Sequence, residues 1–156
     1  MKNFLMIATL LIVSCTGCFK EDDACTGVAP AAEENQIKAY AAANGMTVIK
    51  HNSGLYYEVL NPGTGATPHL NSRVFIKYTG KLLNGTQFDQ GTNPAATGWT
   101  LGGLIEGWQL GLPLVKAGGK IKLIIPSSLG YGCNGAGSGI PPNSVLFFDI
   151  DLIDVQ

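Results

Sequence analysis

Residues 130–151, GYGCNGAGSGIPPNSVLFFDID, form a glycine-rich loop closed by two prolines and running without a break into an alternating strand. Tyr131 opens the loop and Ile140 closes it. From Leu146 onward, Leu146, Phe148, Ile150 and Leu152 fall on one face and Asp149 and Asp151 on the other, as in a strand buried on one side. Such a strand needs a sheet around it and a cover over its apolar face, and the loop hangs at the mouth of that face. The mouth is the first candidate for a functional site. Gly130, Gly132 and Gly135 also have the spacing of a dinucleotide-binding turn, but that turn opens a helix, whereas this one runs into Ile140-Pro141-Pro142.

The rest of the chain supplies the sheet. Gly 21 and Pro 8 in 156 residues suit many tight turns, because glycine provides positive-φ positions and proline fixed ones. Residues 33–44 are expected to form a short amphipathic helix, with Ile37, Tyr40, Ala41 and Asn44 on one face and Asn44-Gly45 as its stop. It reads as a spacer or a cap on the domain. Strand signals then run from Gly45 through Leu60 to the turn at Asn61-Pro62-Gly63. Residues 72–82 form a long strand with Val74, Ile76 and Tyr78 on one face, and Asn84-Gly85 makes a hairpin turn into Gln87-Phe88-Asp89. Residues 104–111 read as a two-turn helix near whose start stands Trp108, limited by glycines and Pro113. Residues 119–126 alternate again, Ile121, Leu123 and Ile125 against Lys120, Lys122 and Ile124, and the Trp108 helix is the expected cover of the sheet's dry face.

Charged residues are 13% and the net charge is −1, so nucleic acid, which requires a basic stripe, is set aside. His51 and His69 stand alone and no CxxC pair occurs, so neither a metal nor another cofactor is expected. Residues 1–17 begin with one basic residue, Lys2, before the apolar run Phe4 to Val13 and small residues around cysteine; this resembles the export signal of a bacterial lipoprotein. Two cysteines compete as lipid acceptor. Ile12-Val13-Ser14-Cys15 matches the lipobox by residue type. Cys18 gives a signal of more usual length, sets Lys20-Glu21-Asp22-Asp23 behind it, and leaves an even pair, Cys25 and Cys133; it is preferred. That pair stands either as a disulfide or as two free thiols. The expected organisation is a tether at 18–32, a helix and connection at 33–48 and one domain at 49–156, anchored by lipid to the outer membrane on its periplasmic or outer surface.

The order and content of several segments resemble one family. Val74-Phe75-Ile76-Lys77-Tyr78-Thr79-Gly80, Gly85-Thr86-Gln87-Phe88-Asp89, Ile105-Glu106-Gly107-Trp108, Tyr131-Gly132, Ile140-Pro141-Pro142-Asn143 and Leu146-Phe147-Phe148-Asp149 are similar to the FK506-binding-protein (FKBP) type of peptidyl-prolyl cis-trans isomerase. The resemblance implies an α+β fold, a curved antiparallel sheet wrapped around one short helix, here with an added N-terminal helix. It implies catalytic positions at Tyr78, Phe88, Asp89, Trp108, Tyr131 and Phe148, and substrate-binding positions at Leu104, Ile105 and Ile140. Trp108 would be a pocket floor, the aromatics walls, and Tyr131 and the Ile105 N–H donors to ligand carbonyls. Thr97 stands where many members carry a pocket aromatic, and the segment between Gly102 and Leu104 is short for the family.

The implied chemistry needs no nucleophile. Amide resonance sets the rotation barrier of a peptide bond at ~18–20 kcal/mol, and a dry aromatic pocket favours the twisted imide over the planar one, whose oxygen prefers water. The expected activity is isomerisation of Xaa-Pro bonds in proline-containing unfolded or exported polypeptides, by a monomer, with an FK506-like macrolide as a possible ligand of the same pocket. The alternative is a non-catalytic proline-peptide-binding or chaperone module.

Overall fold

The computed structural model describes residues 25–156. Cys15, Cys18, the acidic cluster and the expected export segment lie outside the described residues.

Helix α1 spans Pro30–Ala43 and so begins at Pro30 rather than Glu33. Pro30 sits in the first turn, where the fixed φ of proline suits a helix and its missing N–H costs no bond. The strand expected from Gly45 to Leu60 is divided into β1 (Ile49–Lys50) and β2 (Tyr56–Asn61). His51 N–H donates to Leu55 O at 2.7 Å and Gly54 takes φ 93°, which folds the chain back on itself there. Strands β3 (Arg73–Leu82), β4 (Gln87–Gly91) and β5 (Trp99–Thr100) follow, then α2 (Glu106–Gly111), β6 (Gly119–Ile125) and β7 (Leu146–Val155). α2 is shorter than the expected two turns and passes into a 3-10 turn at Leu112–Leu114, where Pro113 ends the α-helical pattern.

All strands belong to one antiparallel sheet in the order β1-β2-β6-β7-β3-β4, with β5 also on β3. β3 is flanked by β7 along one edge. Its other edge is shared, β5 pairing with Arg73 and Val74 and β4 with Tyr78 to Lys81. Between these two ladders Ile76 N–H would be left over, and Thr97 Oγ1 accepts from it at 3.0 Å. A threonine at position 97 thus closes the sheet edge, since an unpaired backbone donor in a buried strand is costly.

Two apolar clusters lie on opposite faces of the sheet. On the concave face Val74, Ile76, Ile121, Leu123, Ile125, Leu146, Phe148, Ile150 and Leu152 pack against Leu101, Trp108 and Leu112, so the expected cover by α2 is observed. The other face is not simply polar. Tyr56, Ile124, Val145 and Phe147 are buried there under Ile37 and Ala41 of α1, which makes α1 a second cover. Farther along the same face Lys120 pairs with Asp149 at 3.0 Å and Asp151 at 3.3 Å, the cross-strand pairing expected where water reaches the sheet. The fold is thus the expected α+β arrangement, with the N-terminal helix packed on the sheet's back. Among the described residues no helix is long and apolar enough to cross a membrane.

Candidate functional site

A cleft of about 520 Å³ opens between α2 and the concave face. Its lining draws on every part of the fold around it: Tyr78 from β3, Asp89 from β4, Trp99 and Thr100 from β5, Gly103 to Ile105 before α2, Trp108 from α2, Tyr131 from the β6–β7 loop and Phe148 from β7.

Trp108 is 4% exposed and is the hub of the aromatic wall. Its ring meets Tyr78 at 5.2 Å and Phe148 at 5.1 Å, both edge to face, which suits the quadrupoles of the rings. Its indole N–H is buried and has no acceptor among the described residues. Gly107 and Gly111 bring α2 down on the sheet; a Cβ at Gly107 would stand 2.5 Å from Ile125 Cγ2. Gln109 Nε2 donates to Leu104 O at 2.7 Å and so pins the rim that precedes the helix. Ile105 lines the cleft, caps α2 and donates its N–H to no acceptor among the described residues.

Asp89 is the acid of the cleft, and Tyr78 Oη donates to its Oδ2 at 2.7 Å. Burial, reinforced by the Asp89 carboxylate, pushes the Tyr78 phenol well above the ordinary tyrosine range. Tyr131 is pushed up by burial and then by the nearby Asp89 charge, without a hydrogen bond to it. Both phenols therefore stay neutral donors through the physiological range. The folded state holds these protons more tightly than the unfolded chain, so their contribution to stability is complete below about pH 10 and is lost as pH rises beyond it. Spectrophotometric base titration is expected to show Tyr78 and Tyr131, together with Tyr40, whose phenol is also raised by burial, ionising above the ordinary tyrosine range, with alkaline loss of stability. Tyr78→Phe keeps the ring but strips Asp89 of a donor; urea unfolding is expected to show a loss of about 1 kcal/mol.

Seven of the nine positions expected to form the site line the cleft: Tyr78, Asp89, Leu104, Ile105, Trp108, Tyr131 and Phe148. Phe88 and Ile140 do not. Phe88 is the extra residue of a bulge, since Gly80 pairs with Asp89 and Lys81 with Gln87. The bulge sends Phe88 to the concave side along with Asp89, where it packs on Phe148 at 5.5 Å and backs the wall instead of lining it. Ile140 is 7% exposed and closes a bridge with Ala136 in the loop, inside the core. Conversely, Trp99 lines the cleft and was missed. It lies 5.9 Å from Tyr78 and 6.4 Å from Trp108, ring to ring, and supplies the aromatic that Thr97 does not. The available signal was an aromatic on a short segment between the Gly98 turn and the buried Leu101.

Cys25 and Cys133 are joined by a disulfide, with their Cα atoms 5.4 Å apart. No cluster of metal-ligating side chains occurs among the described residues.

Comparison with known proteins gives a consistent result. Residues 65–153 match the family described as FKBP-type peptidyl-prolyl cis-trans isomerase. A probable FKBP-type peptidyl-prolyl cis-trans isomerase of Haemophilus influenzae is 44% identical over 115 residues, 73% of this chain and 48% of that protein. The FKBP-type peptidyl-prolyl cis-trans isomerase FkpA of Escherichia coli is 44% identical over 106 residues, 67% of this chain and 39% of that one. The chain thus spans less than half the length of these two relatives. The crystal structure of a peptidyl-prolyl cis-trans isomerase from Pseudomonas syringae pv. tomato superposes with a TM-score of 0.69 at 35% identity, covering 84% of this chain and 98% of that one.

Proposed function

Because this chain belongs to the FKBP-type peptidyl-prolyl cis-trans isomerases, we propose that its cleft accelerates cis-trans exchange of Xaa-Pro bonds in unfolded, exported polypeptides. The observation that carries the reading is the aromatic box of Trp108, Tyr78, Phe148 and Trp99, furnished with one acid and two neutral phenols. Proline packs on the Trp108 floor. Tyr131 and the Ile105 N–H donate to the carbonyls that flank it, and Leu104 closes the rim. The imide carbonyl, leaving water, loses the solvation that favours the planar form. As resonance is lost the nitrogen becomes pyramidal, and Asp89, held by Tyr78, faces it as the polar partner. No covalent bond is made to the protein, and each ~1.4 kcal/mol by which the box favours the twisted form is tenfold in rate.

NMR exchange spectroscopy on a short Xaa-Pro peptide tests this. Faster exchange with catalytic amounts of protein supports it; binding without faster exchange would sink it. Trp99→Ala is expected to lower kcat/KM by roughly five- to tenfold, the worth of one aromatic contact, with little change in stability because the ring is already 37% exposed. An FK506-like macrolide is proposed to compete for the same cleft. We also propose that the protein is a monomeric lipoprotein of the cell envelope acylated on Cys18, on the sequence features of residues 1–24; mass spectrometry of the mature protein tests it, and a modified Cys15 would overturn it.

A further inference from the structure

Tyr131 poses a problem of positioning. It is 40% exposed, its ring touches no other aromatic ring, and its hydroxyl bonds to nothing among the described residues. It stands on the loop of residues 126–145 that joins β6 to β7, and a donor on so long a loop is placed only as well as its backbone is held. Within the loop, Leu129 N–H donates to Pro126 O at 2.9 Å, Gly130 N–H to Ser127 O at 3.0 Å, Asn143 N–H to Gly132 O at 2.8 Å and Ser144 Oγ to Pro141 O at 2.7 Å, beside the Ala136–Ile140 pair.

Leu129 and Ile140 anchor the loop in the core, and further attachments come from the N-terminal segment. Pro30 fits against Gly54, where a Cβ would meet its ring at 2.5 Å and Pro126, at the foot of the loop, at 3.9 Å. Glu33, 3% exposed, accepts from Ser127 N–H at 2.8 Å. Asn143 Nδ2 donates to Thr26 O at 3.4 Å. The Cys25–Cys133 disulfide ties this N-terminal strap, residues 25–33, to the loop two residues after Tyr131. The strap therefore grips both feet of the loop and, covalently, the side of Tyr131 away from β6.

We propose that Cys25 and Cys133 are positioning residues for Tyr131: the crosslink holds the β6–β7 loop so that the Tyr131 hydroxyl is aimed into the cleft before substrate arrives. The inference rests on the isomerase reading for its kinetic effect. Its structural part stands on the strap alone. Pre-organising a donor makes its bond count more in the transition state, because less ordering remains to be done on binding.

The test is a double-mutant cycle on the full chain, comparing wild type, Cys25→Ser/Cys133→Ser, Tyr131→Phe and the triple variant. The crosslink-free variant is expected to lose roughly fivefold in kcat/KM, the worth of one neutral hydrogen bond, and to lose nothing further in the Tyr131→Phe background. Equal losses in both backgrounds, or none in either, overturn the proposal. In case the crosslink-free variant fails to fold, a second measurement uses the native protein. Dithiothreitol gives two electrons and two protons to the Cys25 and Cys133 sulfurs and leaves as its cyclic disulfide. Amide hydrogen exchange is then expected to quicken at residues 130–135 and not in β3, β6 or β7. Faster exchange throughout, or no change at the loop, overturns the proposal. If the wild-type protein fails to accelerate Xaa-Pro exchange, the isomerase reading falls, while the exchange measurement still decides whether the strap positions Tyr131.

Discussion

Trp108→Leu is expected to lower the acceleration of Xaa-Pro exchange by roughly a hundredfold, equivalent to ~2.7 kcal/mol of lost preference for the twisted imide. Trp108 is in contact with three other rings, Tyr78, Phe148 and Trp99, so its removal takes away the floor and also the surface against which the walls stand. Leucine fills only part of the volume and admits water to the place where the imide carbonyl must be dry. Stability is expected to fall less than for a large-to-small change to alanine, which costs ~3–5 kcal/mol. Among the described residues the indole N–H has no acceptor to lose. NMR exchange with the test peptide gives the first number and urea unfolding the second. An acceleration within threefold of wild type in a folded Trp108→Leu protein would show that the floor does not select the twisted form.

Much of this site was legible in the chain because it depends on parity. Tyr78 shares its face with Val74 and Ile76, and Phe148 with Leu146 and Ile150, so a strand reading alone sends both rings to the concave side. Trp108 could be placed as cover because a short apolar helix between strands has only one surface to bury against. What escaped were features set by register between distant segments. The bulge that turns Phe88 inward exists only in the pairing of β3 with β4. Trp99 enters the cleft because two residues of β5 pair with Arg73 and Val74, and nothing local distinguishes that pairing from a loop. Thr97 looked like a vacancy in the pocket wall, yet its hydroxyl is engaged in bridging the gap between two ladders on β3. The shortfall at 97 and the excess at 99 are two sides of the same backbone path.

The back of the sheet holds a different lesson, since the signal was present and went unused. Ile124 falls on the parity of Lys120 and Lys122, and Phe147 on that of Asp149 and Asp151. Either residue alone reads as an apolar exception on a solvated face. In register they are neighbours, Tyr56 beside Ile124 and Ile124 beside Phe147, and together they form an apolar patch across three strands. Such a patch requires a cover, and among the described residues Ile37, Tyr40 and Ala41 of α1 supply it.

The consequence is that stability and catalysis are separable across the thickness of the sheet. Ile37→Ala is expected to destabilise the protein by ~2–4 kcal/mol, because Ile37 is fully buried among Ala41, Tyr56, Ile124 and Phe147 and its loss leaves a cavity between a helix and a sheet. The same variant is expected to keep kcat/KM within twofold of wild type at temperatures where it remains folded. No residue of this cluster lines the cleft. Phe147 and Phe148, adjacent in sequence, answer to opposite faces, with Tyr40 5.5 Å from the one and Trp108 5.1 Å from the other. Urea unfolding and peptide exchange on one preparation distinguish the outcomes. A large fall in activity without loss of fold would mean that displacement of α1 reaches the cleft through the strap that it shares with the β6–β7 loop. Unchanged activity with a large fall in stability would mean that the strap's hold on that loop survives loosening of the helix, leaving the disulfide and the Glu33–Ser127 bond as the connections that carry it.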